Sequence, residues 1–282
     1  AAMHAHADPA FSVSSYARDV LGLAPGDRSH SVAGLFTSLG FDLTVTSLFL
    51  PLIAGGTVVV VREDGVPGVQ AVARRSDLTW IKATPSHLEL LERLLPAHHN
   101  ISTMVVGGEA FPSRQASVLA AGHPGLEINN EYGPTDAVVG CMLKRWRAEG
   151  EGPDVPIGRP APGVSLRIVD RAGNDTPIGV PGELLISSAG LTPGYLESES
   201  VAGPFRTIDG RRWYASGDIV RLQPDGRDGL DAVFLGRLDD QVKLNGVRLE
   251  PAEVAAAVER HPMVRRAVVR LWTPPEANDR PM

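Results

Sequence analysis

Between residues 42 and 145 short β-rich runs alternate with segments long enough to form helices, and this alternation restricts the fold more than any other property of the chain. TVVVV (57–61) follows the Gly55-Gly56 turn as an unbroken β-branched stretch, the pattern of a strand buried on both faces. LTWIKAT (78–84) is a second such run. Pro85 and Ser86 then open SHLELLERLL, whose leucines recur at three- and four-residue spacing and predict an amphipathic helix. TMVVGGE (103–109) and LEINNEYG (126–133) read as further strands with Gly- and Asn-bearing tails, and Phe111-Pro112 starts another helix. Strand, helix, strand, helix in this order predicts a mostly parallel, layered α/β fold. Ligands of such sheets bind at the carboxyl ends of the strands, where these Gly-rich and polar tails fall.

Past residue 150 the texture changes. VSLRIVD, GELLISS, RRWYASGD, IVRLQPDG and AVFLGR read as short alternating strands between Gly, Pro and Asp turns, the pattern of a small antiparallel barrel or sandwich. RLDDQVKLNGVRLEPAEVAAAVERHPMVRRAVVRLW reads as a hairpin, a helix from Pro251 to Arg260 and a strand over 264–271, as at the start of an α+β domain. Three parts are therefore expected: an α/β part over 1–150, a β-barrel over 151–238 and a small third part from 239 to 282.

Composition removes several function classes. No apolar run approaches the roughly 20 residues that span a bilayer, so no membrane segment is expected. With 27 Lys and Arg against 33 Asp and Glu the net charge is −6, and basic residues do not cluster, which argues against a nucleic-acid partner. The single cysteine, Cys141, excludes an intrachain disulfide framework and suits a reducing, cytoplasmic setting. The start, AAMHAHADPA, lacks the basic and apolar regions of a signal peptide, and with Met at position 3 it reads as a cut edge. His4, His6 and Asp8 look metal-like but read as a terminus without pre-positioned ligands, and His87, His98 and His99 read as surface or structural.

Generic phosphate-loop, nucleophile-elbow and zinc-protease patterns are absent. The informative feature is a series of longer strings: NEYGPTD (130–136), GELLISSAGLTPGYL (182–196), YASGDIV (214–220) and GRLDDQVKLNGVRLEPAEV (236–254), preceded by FDLTVTSLFLPLIAGGTVVV (41–60). In order and spacing they resemble the successive core motifs of adenylate-forming enzymes, above all the adenylation domains of nonribosomal peptide synthetases. The resemblance implies part of the adenylate-forming fold, with ATP and Mg²⁺ used to turn an amino acid into aminoacyl-AMP and pyrophosphate. The acyl group would then pass to the phosphopantetheine thiol of a peptidyl carrier domain, with condensation domains as further partners in the same synthetase.

Carried onto this sequence, the resemblance implies a nucleotide site with residue types that suit it. Tyr132 supplies a flat ring for adenine to stack on, and Asn130 an amide with a donor and an acceptor for its edge. Gly107 and Gly108 let backbone approach the nucleotide, and Thr135 offers a hydroxyl near the α-phosphate. Asp136 would hold Mg²⁺, one methylene shorter than the Glu usual in the family. Asp218 would accept from the ribose hydroxyls with Arg237 beside it, and Asp239 matches the hinge about which the small C-terminal part turns.

The family's amino-acid pocket falls on Asp42, Leu43, Thr46, Lys82 and Val105 from the first motifs. It is completed by Gly107, Glu131, Val139 and Gly140. Asp42 would pair with the substrate α-ammonium. Lys82 stands in an otherwise apolar strand, where burial without a partner is costly, and Glu131 is positioned to face it. An ammonium donor opposite a carboxylate acceptor suits a side-chain carboxamide, and the set also resembles the family's asparagine specificity code, so the expected substrate is L-asparagine. Aspartate would set a second carboxylate against Glu131, and glutamine would need one more methylene of depth. The plainer alternative is a structural ion pair that leaves selectivity to shape.

Several departures bear on activity. The Ser/Thr/Gly-rich phosphate loop and the catalytic lysine of the family have no counterpart here, and Lys243 belongs to the preceding motif, so this chain alone is expected to lack adenylation. Thr192-Pro193, Ser216 and Asn245 replace the commoner Ala-Arg, Thr and Arg. A catalytically silent binding module and another adenylate-forming ligase, such as an acyl-CoA synthetase, stay open as alternatives; Asp42 and the GPTD string argue against the latter.

Overall fold

The computed structural model describes residues 2–3, 31–61, 67–137, 139–148, 152–195, 203–227, 229–239, 241–244, 247–249, 251–261, 263–270 and 272. The chain divides into two compact units, Ala1–Leu238 and Asp239–Met282. His4, His6, Asp8, Asn245 and the tail 273–282 lie outside the described residues.

The first unit opens with alternating strands and helices: β1 (Val32–Leu35), α1 (Leu43–Ile53), β2 (Thr57–Val60), α2 (Gly68–Ala73), β3 (Trp80–Ala83), α3 (Pro85–Leu94), β4 (Thr103–Gly107), α4 (Ser113–Gly122) and β5 (Glu127–Tyr132). Two further strands, β6 (Met142–Arg145) and β7 (Arg159–Pro160), complete a seven-stranded sheet in the order β2-β1-β3-β4-β5-β6-β7. The pairings from β2 to β5 are parallel, and those of β6 and β7 antiparallel.

Period-two alternation decides what each face of this sheet carries. Ile81, Ala83, Met104, Val106 and Ile128 point into one core with Leu88 and Leu91 of α3 and Leu119 of α4. Trp80 and Val105 point to the other face and pack with Ala33 of β1 and Leu50 of α1. Lys82, two residues after Trp80, and Glu131, an odd number of residues after Ile128, therefore share the α1 side. At the start of α3, Pro85 fits the first turn and the Thr84 N–H donates to His87 Nδ1 at 3.2 Å, which makes His87 structural, as expected.

Two strand expectations need correction. TVVVV is not buried on both faces: β2 is the sheet's edge, and Val60 is 70% exposed. An apolar β-branched run forms a strand equally well with one neighbour or two. RRWYASGD and IVRLQPDG are not two strands but a single one, because Gly217 and a register shift between Ile219 and Val220 bend the chain without turning it back.

That strand is β11 (Arg211–Pro224), in a five-stranded antiparallel sheet with β8 (Ser165–Val169), β9 (Gly182–Ser187), β10 (Phe205–Ile208) and β12 (Leu230–Arg237). The order is β10-β11-β9-β8, with β12 also on β11. Ile168, Leu184, Ile186, Tyr214 and Val220 bury its inner face together with Met142 and Ile157. The two sheets are tied by reciprocal backbone hydrogen bonds between Gly158 and Ala232. Gly158 has φ +82°, and a Cβ there would lie 2.0 Å from the Leu143 carbonyl oxygen, so only glycine fits this junction.

The second unit holds the expected hairpin, Val242–Leu244 with Val247–Leu249, and a helix, α5, over Pro251–Glu259. The strand expected over 264–271 is absent among the described residues 264–270, and Val268 is 78% exposed. Alternation alone does not make a strand when no neighbour supplies the ladder.

Two histidines meet where α3 and α4 end. The Ile101 N–H donates to His99 Nδ1 at 3.2 Å, so His99 Nε2 carries the hydrogen and donates to His123 Nδ1 at 3.0 Å. Protonation of either ring disrupts this chain, and burial holds both imidazoles below the ordinary value of 6.5. The sign follows from linkage: the unfolded chain binds more protons, so the pair's contribution is complete above about 6.5 and is lost as pH falls through the folded values. Urea midpoints are expected to fall on acidification below neutrality, with a shallower dependence in a His99→Asn/His123→Asn variant.

Candidate active site

The α1 side of the sheet holds a polar constellation inside an apolar setting. Lys82 on β3 donates from Nζ to Glu131 Oε1 on β5 and to Thr46 Oγ1 on α1, each at 2.7 Å. The two charged side chains are 0% and 4% exposed. Strand alternation brings Lys82 and Glu131 to one face, and Thr46 reaches them from the helix laid across it. Glu131 Oε2 is buried and has no hydrogen-bond partner among the described residues. Burying a charged group with an unused acceptor costs free energy, so this oxygen is where a donor from a ligand gains most.

Asp42 precedes the first turn of α1 without a side-chain capping bond to that helix, and its Oδ2 accepts from Thr135 Oγ1 at 2.6 Å. Thr135 belongs to the short 3₁₀ turn Thr135–Ala137, so this bond ties the start of α1 to the GPTD string. Leu43, Val105 and Val139 are buried nearby in the sequence positions expected to line the pocket, while Gly140 is partly exposed. Gly107 ends β4 in register with Glu131, and Gly108 has φ +88°, where an added Cβ would lie 3.3 Å from the Phe41 ring and 3.7 Å from the side chains of Leu43 and Thr84.

A second constellation lies across from the end of β5. Asp218 on β11 is in register with Arg237 on β12, and Arg237 Nη1 donates to Asp218 Oδ1 at 2.6 Å. The Tyr132 hydroxyl donates to Asp218 Oδ2. Burial, and then the Asp218 carboxylate, push the Tyr132 phenol well above its ordinary value, so it stays a donor. Ser216 supports the same turn: its hydroxyl donates to the Leu184 carbonyl and accepts the Asp218 N–H. The Thr-to-Ser departure thus keeps the hydroxyl's work.

One expected role needs revision. Both amide hydrogens of Asn130 are held by the carbonyls of Val155 and Pro156, at 3.0 and 2.9 Å. Its donor half therefore anchors the loop before β7, and only its carbonyl oxygen is left for an adenine edge. Asp136 is buried, and its backbone carbonyl accepts the Thr192 N–H at 2.9 Å. Asp239 opens the second unit, exposed, and accepts from the Gln241 N–H at 3.3 Å.

Sequence reasoning missed Arg212. Its guanidinium donates to the carbonyls of Thr192 and Pro193, at 2.6 and 3.1 Å, and stacks 3.9 Å above the Phe205 ring. The contact spans twenty positions and has no motif, so only the fold reveals it.

The AMP-binding enzyme family model matches residues 1–196. The chain is 40% identical over 247 residues to bacitracin synthase 3 of Bacillus licheniformis, covering 85% of this chain and 4% of that protein. It is 36% identical over 245 residues to tyrocidine synthase 3 of Brevibacillus parabrevis, covering 83% of this chain and 4% of that synthase. Among solved structures, the Vibrio cholerae adenylation domain AlmE, in complex with glycyl-adenosine-5'-phosphate, superposes with a TM-score of 0.84 at 28% identity, over 97% of this chain and 52% of that one. Holo-PA1221, a nonribosomal peptide synthetase protein with adenylation and PCP domains, superposes with a TM-score of 0.75 at 25% identity, over 86% of this chain and 43% of that one. The chain thus spans 4% of each of these synthases and about half of AlmE. A parallel sheet carrying a buried polar cluster at its carboxyl edge, an antiparallel sheet beside it, and these likenesses together assign the chain to the AMP-binding enzyme family, with the adenylation-domain fold of nonribosomal peptide synthetases.

Proposed function

We propose that this chain forms the amino-acid and nucleoside side of an adenylation domain that activates L-asparagine within a nonribosomal peptide synthetase. The observation that carries the reading is the buried pair of Lys82 and Glu131, in which Glu131 Oε2 keeps an unused acceptor. A carboxamide offers one acceptor and two donor hydrogens, so its oxygen suits the ammonium and its NH₂ suits Oε2. An aspartate side chain brings a second negative charge to that oxygen, and an aliphatic one leaves it unsatisfied.

In the proposed reaction a substrate carboxylate oxygen attacks the α-phosphorus of ATP, the bond to pyrophosphate breaks, and aminoacyl-AMP forms. The acyl group would then pass from AMP to a carrier's phosphopantetheine thiol, with AMP as the leaving group and the thiol proton passing to solvent. Bound ATP and Mg²⁺ supply the electrophilic phosphorus and the charge that neutralises the leaving pyrophosphate. Asp42 accepts from the α-ammonium and orients the carboxylate, and Thr135, bonded to Asp42, fixes that acceptor. Asp218 suits the ribose: a carboxylate has about four lone-pair sites, and Tyr132 and Arg237 use two of them. Asp136 is a single buried acid beside Thr135, which meets what Mg²⁺ asks of a protein when phosphates and waters fill its other positions. The likeness to synthetases that carry carrier domains supports a carrier partner here, and condensation domains are proposed with it.

The test is amino-acid-dependent ATP–pyrophosphate exchange by the complete adenylation domain containing this segment. Asparagine is expected to give the highest rate. A domain that is active but prefers aspartate, glutamine or an aliphatic amino acid contradicts the assignment.

A further inference from the structure

Neither constellation accounts for a cavity of about 760 Å³ in the first unit, a volume typical of small-molecule sites. It lies where the two sheets join: Arg159 and Asp231 line it, each next in sequence to the junction pair Gly158 and Ala232. The remaining wall comes from Leu143–Arg145 of β6, from Arg147 and Ala148 after it, and from Asp225, Gly226 and Arg227 after β11. No residue of the Lys82 or Asp218 constellation lines it.

Small-molecule pockets are ordinarily apolar with a few polar groups, whereas this one carries five cations against two acids. The chain as a whole has 27 basic residues against 33 acidic ones, so the cavity reverses the sign of the molecule. Both acids are already engaged. Asp231, whose side chain is 4% exposed, accepts from Lys144 and lies 3.6 Å from Arg159 Nε, and Asp225 accepts from Arg159. Asp225 Oδ1 also accepts the N–H groups of Arg227 and Gly229, at 2.8 and 3.1 Å, which fixes the backbone at the root of Arg227. A Cβ on Gly229 would fall 1.8 Å from Arg159 Nη2, so that guanidinium is packed against backbone. These four charges balance one another, and Arg145 is held by Glu127 at 2.5 Å. Arg147 and Arg227 are exposed and have no side-chain hydrogen bond or ion pair among the described residues.

We propose that this cavity binds a small polyanion of the diphosphate class. Guanidinium groups match phosphate bidentately, and a phosphate turns three oxygens toward donors that come from different segments, where a carboxylate offers two in one plane. Two linked phosphates supply an anion for each unpaired arginine. The recessed Lys144–Asp231 pair, 15% and 4% exposed, favours a ligand that enters the cavity over a chain that lies across it. The proposal is independent of the asparagine reading, with which it shares no residue.

The test is calorimetric titration of the 282-residue chain with inorganic pyrophosphate, at low ionic strength and without divalent cations. Pyrophosphate is expected to bind with a Kd below about 1 mM, and Arg147→Gln/Arg227→Gln to weaken it about tenfold or more. The melting temperature of that variant should match wild type, since neither side chain has a partner to lose. Arg74→Gln/Arg114→Gln removes the same charge at exposed positions outside the cavity and should weaken binding less than about twofold. A hexaglutamate peptide, titrated in parallel, should bind more weakly than pyrophosphate. Absence of binding by wild type, or equal affinities in the two double variants, overturns the site. Tighter binding of hexaglutamate also overturns it and assigns the surface to an acidic peptide instead.

Discussion

Lys82→Met is expected to destabilise the chain by about 3–5 kcal/mol, because it leaves Glu131 as an uncompensated charge in a dry site. For a protein of 282 residues that corresponds to a loss of roughly 5–8 °C in melting temperature. Asparagine binding should disappear with it. The double variant Lys82→Met/Glu131→Leu separates the two effects: with both charges gone, most of the stability should return while binding stays lost. Urea unfolding of the three proteins gives the answer. A double variant as unstable as the single one contradicts the assignment of the penalty to the orphaned carboxylate.

The second large effect is expected at Asp218. Asp218→Ala deprives the largely buried Arg237 guanidinium and the Tyr132 hydroxyl of a shared acceptor, at a cost of about 2–3 kcal/mol in stability. In the proposed function it also removes the acceptor assigned to the ribose, so ATP affinity should fall about 100-fold relative to wild type. Asp218→Asn keeps one acceptor oxygen and is expected to fall between them. Asparagine affinity, read by calorimetry, should change little in either variant, since Asp218 is bonded by Tyr132 and Arg237, whereas Lys82 bonds Thr46 and Glu131 and Asp42 is bonded by Thr135. Equal losses for asparagine and ATP contradict the division of the site into two constellations.

The Lys82–Glu131 pair was legible in the sequence because a lone cation inside an apolar strand must find an anion, and period-two alternation limits which anion it meets. The same logic predicts the parallel sheet: continuous apolar runs separated by amphipathic helices have few other ways to bury themselves. What the residues could not convey was neighbourhood. TVVVV carries no mark of lying at an edge, and the alternation over 264–270 none of pairing with no strand among the described residues. Gly217 reads as a turn, yet it bends a strand that continues for fourteen residues. Asn130 spends its donors on carbonyls 25 and 26 positions away, and the Val139 backbone is set by a contact with Gly133. These are tertiary facts with no local signature. The resemblance to adenylation domains carried the residues proposed for the nucleotide, and the structure adds that Tyr132, Asp218 and Arg237 form one hydrogen-bonded group.

The proposed function requires that the buried Lys82–Glu131 pair read a neutral carboxamide. Calorimetric titration of the wild-type chain with L-asparagine, L-aspartate and L-glutamine measures this. Asparagine is expected to bind about tenfold or more tightly than either of the others. Aspartate or glutamine binding as tightly as asparagine contradicts it.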